Sequence, residues 1–474
     1  MNIKNILSAL YSSLHNKFSL PENRKKLLYT AMLLLLLAGI LARIAGMYFM
    51  QDHFLHNDGG DYLNISQQIA KGNGFSKSII HWYEATPPGY NGEPMPAFHR
   101  PPVLPLLGAI LYFLPFDILL SAKVAVLLTG MVCILMVYML AKEIFNDTKT
   151  AFIAAFLYTF YPYSIYHGIC YSSENLFLIF LCGAFYFLSK CIRKDLSLPY
   201  ASLCGGMMAL ATLTRPQGFG LFLILGFTGT LVMLFRKTVR KKLFKALVFY
   251  TLGAFLLLSP WMIRNYLAAG NPTPLTFYSP YSFALAYSNI SYMTHYYIDD
   301  PLYKEKADKA WNTFHTEKKA FLAQQKIYHL PDANKYWTKW AWEYIRNNPQ
   351  KVCFIVWSRL LHCFRAVPNQ AATPPAASHL IRLYFILLCL FFAAGICFAR
   401  KNIPALLLLL SPLSVLLFAV PFLMLLRFRY PCFAPAAAIF ASYGLVKLAE
   451  NVLAYIRKKD KKTPSPAEDT GEGL

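Results

Sequence analysis

Two aspartates, Asp58 and Asp61, stand three residues apart in the segment HNDGGDYLNISQQIAKGNGFS. On a helix that spacing places both carboxylates on one face. Two readings follow. The aspartates cap a helix and complement its dipole, or one is a general base, with Tyr62 beside it. Spacing does not separate the two. A cationic set accompanies them: Arg100 in AFHRPPVLPLL, Arg215 in LATLTRPQGFG, Arg264 in SPWMIRNYLAAGNP, and Arg427 and Arg429 in LLRFRYPCFAP, with Tyr430 next in line. One arginine at the edge of an apolar run is an ordinary anchor that snorkels to the interface. Several at the edges of different runs point to an anionic ligand, because the guanidinium fork donates two parallel hydrogen bonds to phosphate. Glu174 opens an apolar run in YSSENLFLIF. It is either a helix cap, with Ser172 and Ser173, or a carboxylate facing a bundle interior. His53, His56, His81 and His99 cluster in one polar stretch but show no HxxxH or HExxH spacing. A metal site on them is conceivable, but no ligand set and no cofactor is assigned on that basis, and a divalent metal stays open.

The elements that must position these groups are membrane helices. The chain has 474 residues, of which 56% are hydrophobic and 15% charged, against about a quarter charged in soluble domains. The net charge of +23 fits basic residues in short cytoplasmic loops and against anionic lipid, and nucleic acid is not a partner. Cys133, Cys182, Cys204, Cys389 and Cys397 fall inside apolar runs, and no CxxC pair occurs, so neither a disulfide framework nor a redox motif is indicated. Mostly apolar runs of spanning length occupy 27–50, 118–141, 151–168, 174–191, 200–214, 218–235, 246–263, 379–399, 403–425 and 431–453. The predicted fold is therefore an all-α polytopic membrane protein with about ten transmembrane helices.

Charge orients it. With a cytoplasmic N-terminus, the clusters Arg24–Lys26, Lys142 with Lys149, Lys190 to Lys194, Arg236 to Lys245, Arg400 with Lys401, and Arg457 to Lys462 all fall on one side. Flipping any single span breaks the pattern. Two shorter apolar segments, 101–115 and 352–364, are read as outer juxtamembrane or re-entrant helices. The chain then divides into a cytoplasmic segment 1–26, a transmembrane domain 27–453 and a disordered cytoplasmic tail 454–474. The domain carries outer loop one, 51–116, and outer loop two, 264–378, the latter with amphipathic stretches at 303–326 and 333–347. In loop one, Leu63, Ile65, Ile69 and Ala70 define an amphipathic helix that Gly72 and Gly74 end. No internal repeat is seen.

The outer face thus gathers one or two carboxylates and several arginines. Sugar transfer from a polyprenyl-phosphate carrier needs that set. The anomeric carbon develops oxocarbenium character, as in glycoside hydrolysis. Phosphate leaves without a general acid, so one base suffices, and the arginines stabilise the charge growing on the phosphate. The ordered pieces Asp58 with Tyr62, the Ala70-Gly72-Gly74-Phe75 ending, Arg100-Pro101-Pro102, Ser173-Glu174-x-Leu176-Phe177, Arg215-Pro216, Pro260-Trp261-x-x-Arg264-Asn265, and Arg427-x-Arg429-Tyr430-Pro431 resemble the GT-C superfamily of lipid-carrier-dependent glycosyltransferases. The nearest branch is that of the protein O-mannosyltransferases and bacterial aminoarabinose transferases.

That resemblance implies a membrane glycosyltransferase of the bacterial inner membrane, with both termini cytoplasmic. It implies a polyprenyl-phosphate sugar donor, a glycan, lipid or protein acceptor, and membrane lipid as a further partner. It assigns the base to Asp58. Many members carry Asp-Glu there; this chain has Asp58-Gly59, and Asp61, one turn on, can take the second carboxylate's place. With a phosphate as acceptor no base is needed, and Asp58 only orients groups. The competing readings are a polytopic transporter or lipid flippase, and a surface-polysaccharide polymerase or ligase. The latter places its key Arg and His in a large late outer loop, where His295 and His362 stand here without an arginine pattern.

Overall fold

The structure is a computed structural model that describes residues 22–55, 58–296, 303–367, 375–419 and 426–460. Of the tail expected to be disordered over 454–474, residues 454–460 are instead the helical end of the last span, while 461–474, most of the N-terminal segment, and His56 lie outside the described residues. Nineteen helices run through the described chain: α1 Glu22–Phe49, α2 Gly59–Ala70, α3 Val103–Leu111, α4 Ile118–Phe145, α5 Thr148–Thr159, α6 Pro162–His167, α7 Glu174–Arg193, α8 Leu198–Thr212, α9 Gln217–Phe235 and α10 Arg240–Ala269, then α11 Ser279–Ala286, α12 Asn289–Tyr296, α13 Tyr303–Gln324, α14 Leu330–Asn347, α15 Pro349–His362, α16 Pro375–Ala399, α17 Ile403–Leu408, α18 Leu410–Ser414 and α19 Leu426–Asp460. One two-stranded antiparallel ribbon, β1 Ser76–Lys77 with β2 Met95–Pro96, lies in loop one.

Among the described residues, seven helices are long and apolar enough to cross a membrane: Lys26–Phe49, Ile118–Phe145, Glu174–Arg193, Gln217–Phe235, Lys237–Ala269, Ala377–Ala399 and Arg427–Tyr455. All ten apolar runs are helical where described, but three fall short of a continuous span. The run 151–168 breaks between α5 and α6, where Tyr161 is extended and Pro162 restarts the helix; a proline has no N–H to give and fits the first helical turn. Helix α8 has 15 residues, about 22 Å at 1.5 Å per residue, less than the ~30 Å hydrocarbon core. The run 403–425 is split into α17, α18 and a π turn Val415–Ala419, with residues 420–425 outside the described residues. The two segments set aside as non-spanning are the helices α3, of 9 residues, and α15, of 14 residues.

Small residues let the bundle close. Around α5, α7 and α19, Ala154, Ala155, Ala184, Ala434, Ala437, Ala438 and Ala441 are fully or almost fully buried beside Tyr158, Phe177 and Phe440. Helices α8 and α10 cross with backbones touching: a Cβ on Gly205 would lie 1.9 Å from the Tyr250 carbonyl oxygen, and one on Gly253 would lie 2.2 Å from that of Ser202. Backbone cannot swing aside as a side chain does. Gly205→Ala is therefore expected to cost about 2–3 kcal/mol, the upper part of the range for overpacking, read as a lowered unfolding temperature in detergent. An unchanged value would mean that the two helices do not approach this closely. Leu252, Phe255 and Leu256 on α10 point outward, exposed as a lipid-facing surface requires.

Helix α1 carries a buried arginine in its second half. Arg43 is 1% exposed. It donates to the Gly39 carbonyl (3.0 Å) and to Ser164 Oγ (2.8 Å), in a slot kept open by Gly130 and Gly168, where any Cβ would meet its Nε at 2.9 and 2.4 Å.

Loops one and two form a layer over one end of the bundle. Loop one is tied down by main-chain bonds from Tyr171 N to Phe54 O (2.8 Å), Val103 N to Leu213 O (3.1 Å) and Phe277 N to Phe98 O (2.9 Å). The amphipathic stretches of loop two are α13 and α14. Their aromatic side chains, Trp337 among them, pack with Tyr83 and Phe98 of loop one and Tyr281 of α11 in a second core.

Candidate active site

Helix α2 presents the acidic pair. Its apolar face, Tyr62, Leu63 and Ile65, is buried, and Gly108 of α3 passes so close that a Cβ would touch Ser66 Oγ at 2.3 Å. Its end is the one expected: Gly72 and Gly74 have φ of +83° and +67°, where glycine carries no steric cost. Asp58 occupies the N-cap position but its side chain makes no capping bond. The carboxylate turns to two arginines instead. Arg100 Nη2 donates to Asp58 Oδ1 at 2.8 Å, and Arg427 Nη1 pairs with Asp58 Oδ2 at 3.1 Å. Arg100 also donates to Asp61 Oδ2 from Nη2 (2.6 Å) and Nε (3.2 Å), and its guanidinium faces the rings of Tyr62 and Tyr278.

Charge sets the state of the acids. Burial pushes Asp58 up, but Arg100, then Arg427 and Arg215, outweigh it and hold the carboxyl well below the usual range. For Asp61 burial wins: its carboxyl is raised, with Arg100 opposing. The two acids sit one turn apart and titrate in opposite directions, because Asp58 faces more cations.

A second ion pair lies alongside. Arg215 Nη1 meets Glu174 Oε1 at 2.7 Å and donates to Ser173 Oγ at 3.0 Å; Tyr62 Oη donates to the same Ser173 Oγ at 3.4 Å. Arg215 and Arg427 flank the Phe428 ring. Glu174 is not a helix cap in water: it is 2% exposed. The structure thus brings together Asp58, Asp61, Tyr62, Arg100, Glu174, Arg215 and Arg427 from loop one, α7, the α8–α9 turn and α19.

The remaining candidates are placed otherwise. Arg264 donates to the carbonyls of Phe75 (3.1 Å) and Ala97 (2.8 Å) and lies against Phe75, Phe98 and Trp261, so its fork holds the two arms of loop one. Arg429 donates to the carbonyls of Cys363 and Arg365. Tyr430 is buried, its hydroxyl 2.6 Å from Tyr158 Oη and donating to Asn175 Oδ1 at 3.2 Å. An arginine beside main chain and one beside a ligand look alike in sequence.

Sequence reasoning missed one grouping. Asp61, His81 and His99 lie together, each offering one ligand atom within 4.8 Å of the others. The β1–β2 ribbon folds loop one back on itself and brings the two rings to 4.4 Å between centroids. Burial, then Lys77 and Arg100, push His81 down to about 3; burial and the neighbouring cations push His99 well below its ordinary value. Lys77 is itself paired with buried Glu84.

The helical body is shared with solved membrane proteins. The oligosaccharyltransferase AglB from Archaeoglobus fulgidus, in complex with an inhibitory peptide and a dolichol-phosphate, superposes with a TM-score of 0.54 at 18% identity, over 94% of this chain and 53% of that one. The Archaeoglobus fulgidus oligosaccharyltransferase tethered to an acceptor peptide gives a TM-score of 0.51 at 17% identity, over 90% and 50% of the two chains. The present chain spans about half the length of these proteins. ArnT from Cupriavidus metallidurans bound to undecaprenyl phosphate is covered further, 94% and 82%, at 15% identity and a TM-score of 0.40, too low to carry weight. Among curated proteins none matches the chain significantly. The chain thus shares the fold of these membrane oligosaccharyltransferases. Residues 99–263 match the model of the dolichyl-phosphate-mannose-protein mannosyltransferase family, which bears out the resemblance drawn from the motifs at Arg100, Glu174 and Arg215.

Proposed function

We propose that this chain moves a sugar from a polyprenyl-phosphate donor to a glycan, lipid or protein acceptor on the outer face of the bacterial inner membrane, inverting the anomeric carbon, with both termini cytoplasmic. One observation carries the reading: two guanidiniums from distant parts of the chain, Arg100 of loop one and Arg427 of the last span, converge on the single carboxylate of Asp58. A lipid phosphate entering beside them offers both arginines a second anion with matching fork geometry. As they turn to it, Asp58 loses the charges that suppress its basicity and becomes the base for the acceptor hydroxyl. Phosphate leaves as an anion, held by Arg427 and Arg100 with Arg215 next to them. A single displacement with one base inverts the centre. Asp61 fixes Arg100, and the basic clusters on the opposite ends of the spans support the outward orientation of the site.

The test is transfer by the purified protein in proteoliposomes supplied with a polyprenyl-phosphate sugar. Arg427→Ala is expected to raise the donor KM about tenfold to a hundredfold, the loss of one charge-assisted contact of roughly 1.5–3 kcal/mol, while acceptor KM stays within twofold. Equal effects on both substrates would refute the clamp.

A further inference from the structure

We infer that Asp61, His81 and His99 form a binding site for one divalent transition-metal ion, with zinc the best match. The inference concerns binding and does not rest on the proposed reaction. Two ligand atoms on a tetrahedral zinc with bonds of about 2.0–2.2 Å sit roughly 3.3–3.5 Å apart. His81 Nε2 lies 3.7 Å from Asp61 Oδ1, and His99 Nε2 lies 3.8 Å from Asp61 Oδ2. Both gaps exceed the ~3.2 Å limit of a hydrogen bond, and with the three ligand atoms within 4.8 Å of one another the set closes to metal-ligand spacing with side-chain shifts of about 1 Å.

His99 supplies the independent observation. It is 2% exposed, and neither Nδ1 nor Nε2 has a hydrogen-bond partner. Buried imidazoles nearly always hydrogen-bond, so a ring with two orphaned nitrogens, one aimed at a carboxylate and a second imidazole, lacks a ligand. The carboxylate is prepared for the role. Arg100 bonds Asp61 through Oδ2, the oxygen nearer His99, and leaves Oδ1 toward His81 as the ligating oxygen, with Arg100 as the outer-shell support that ligating carboxylates carry. The nearby cations are already matched: Arg100 by Asp58 and Asp61, Lys77 by Glu84. Two imidazoles and one carboxylate select a borderline transition ion. Magnesium and calcium prefer oxygen alone. Three protein ligands leave a tetrahedral ion one position for water. The ion joins the end of β1, the end of β2 and the start of α2, so it clamps loop one next to the Asp58–Arg100 pair.

The experiment uses the full chain in detergent with a histidine-free affinity tag, stripped with chelator and then equilibrated with zinc or, separately, cobalt(II). Expected are one zinc per chain by elemental analysis and intense visible cobalt bands of a tetrahedral N/O site. Asp61→Asn and His99→Ala should weaken zinc at least tenfold, while Asp58→Asn retains it. Wild-type protein that takes up no stoichiometric zinc, or that gives only weak octahedral cobalt bands, overturns the inference; so does zinc retained equally by both ligand variants. The cobalt spectrum of the unmodified chain decides the matter even where a variant fails to fold.

Discussion

Asp58→Asn is expected to reduce the turnover of sugar transfer roughly 100- to 10,000-fold, the span attributed to a positioned general base. Asparagine keeps the shape of the side chain and its acceptor oxygen, so the hydrogen bond from Arg100 at the Oδ1 position survives, while the pairing with Arg427 at the Oδ2 position is lost. What is lost is negative charge. In the resting protein that charge holds Arg100 and Arg427 in place; during transfer it accepts the hydroxyl proton. Removing it also leaves the arginines more cationic toward phosphate, so donor affinity should stay the same or rise while turnover collapses. That split, lower kcat with unchanged or lower donor KM, marks a transition-state role. The measurement is initial rate against donor concentration in proteoliposomes, on protein whose thermal unfolding matches wild type. Turnover within a few-fold of wild type would show that Asp58 only orients groups, as an acceptor that is itself a phosphate permits.

The second large effect is on stability. Glu174 and Arg215 form a pair whose side chains are 2% and 8% exposed. Breaking a buried pair by removing one partner typically costs 3–5 kcal/mol, because the remaining charge has neither water nor counter-ion. Arg215→Ala should therefore lower the unfolding temperature of the detergent-solubilised protein by more than any other substitution considered above. It also takes the donor from Ser173 and the contact with Phe428. The double variant Glu174→Leu with Arg215→Met should recover much of the loss, since apolar replacement of a buried pair is often neutral. If Arg215→Ala unfolds like wild type, the pair is hydrated and the site is wetter than its burial indicates.

What the sequence revealed and what it concealed follow from the range over which each interaction acts. Helix α2 was legible because its apolar period and its two glycines are local. The gathering of Asp58, Arg100, Arg215 and Arg427 was legible because span alternation and basic clusters place the ends of apolar runs, and charge at those ends is conspicuous. The fates of Arg264 and Arg429 were not, because their partners are backbone carbonyls at Phe75, Ala97, Cys363 and Arg365, which no sequence pattern distinguishes from a phosphate. The nearness of His81 to His99 depends on a ribbon of two residues per strand, too short for any periodicity. The break at Pro162 was written in the sequence, yet the apolar run around it reads as continuous when only hydropathy is followed.

The buried arginine of α1 bears on how the protein is made. Arg43 finds its hydroxyl acceptor in Ser164, 121 residues downstream. A ribosome exposes the first helix well before that serine is synthesised. An arginine in a lone membrane helix is costly to insert, up to about 2.5–3.5 kcal/mol at the centre and less toward the ends, offset here by the leucines that precede it. The first helix meets part of that need itself, through the Gly39 carbonyl, and the rest only when α4 and α6 supply Gly130, Ser164 and Gly168. A chain cut short before Ser164 leaves Arg43 without that hydroxyl acceptor, so the first helix can be fully accommodated only after the sixth has been made.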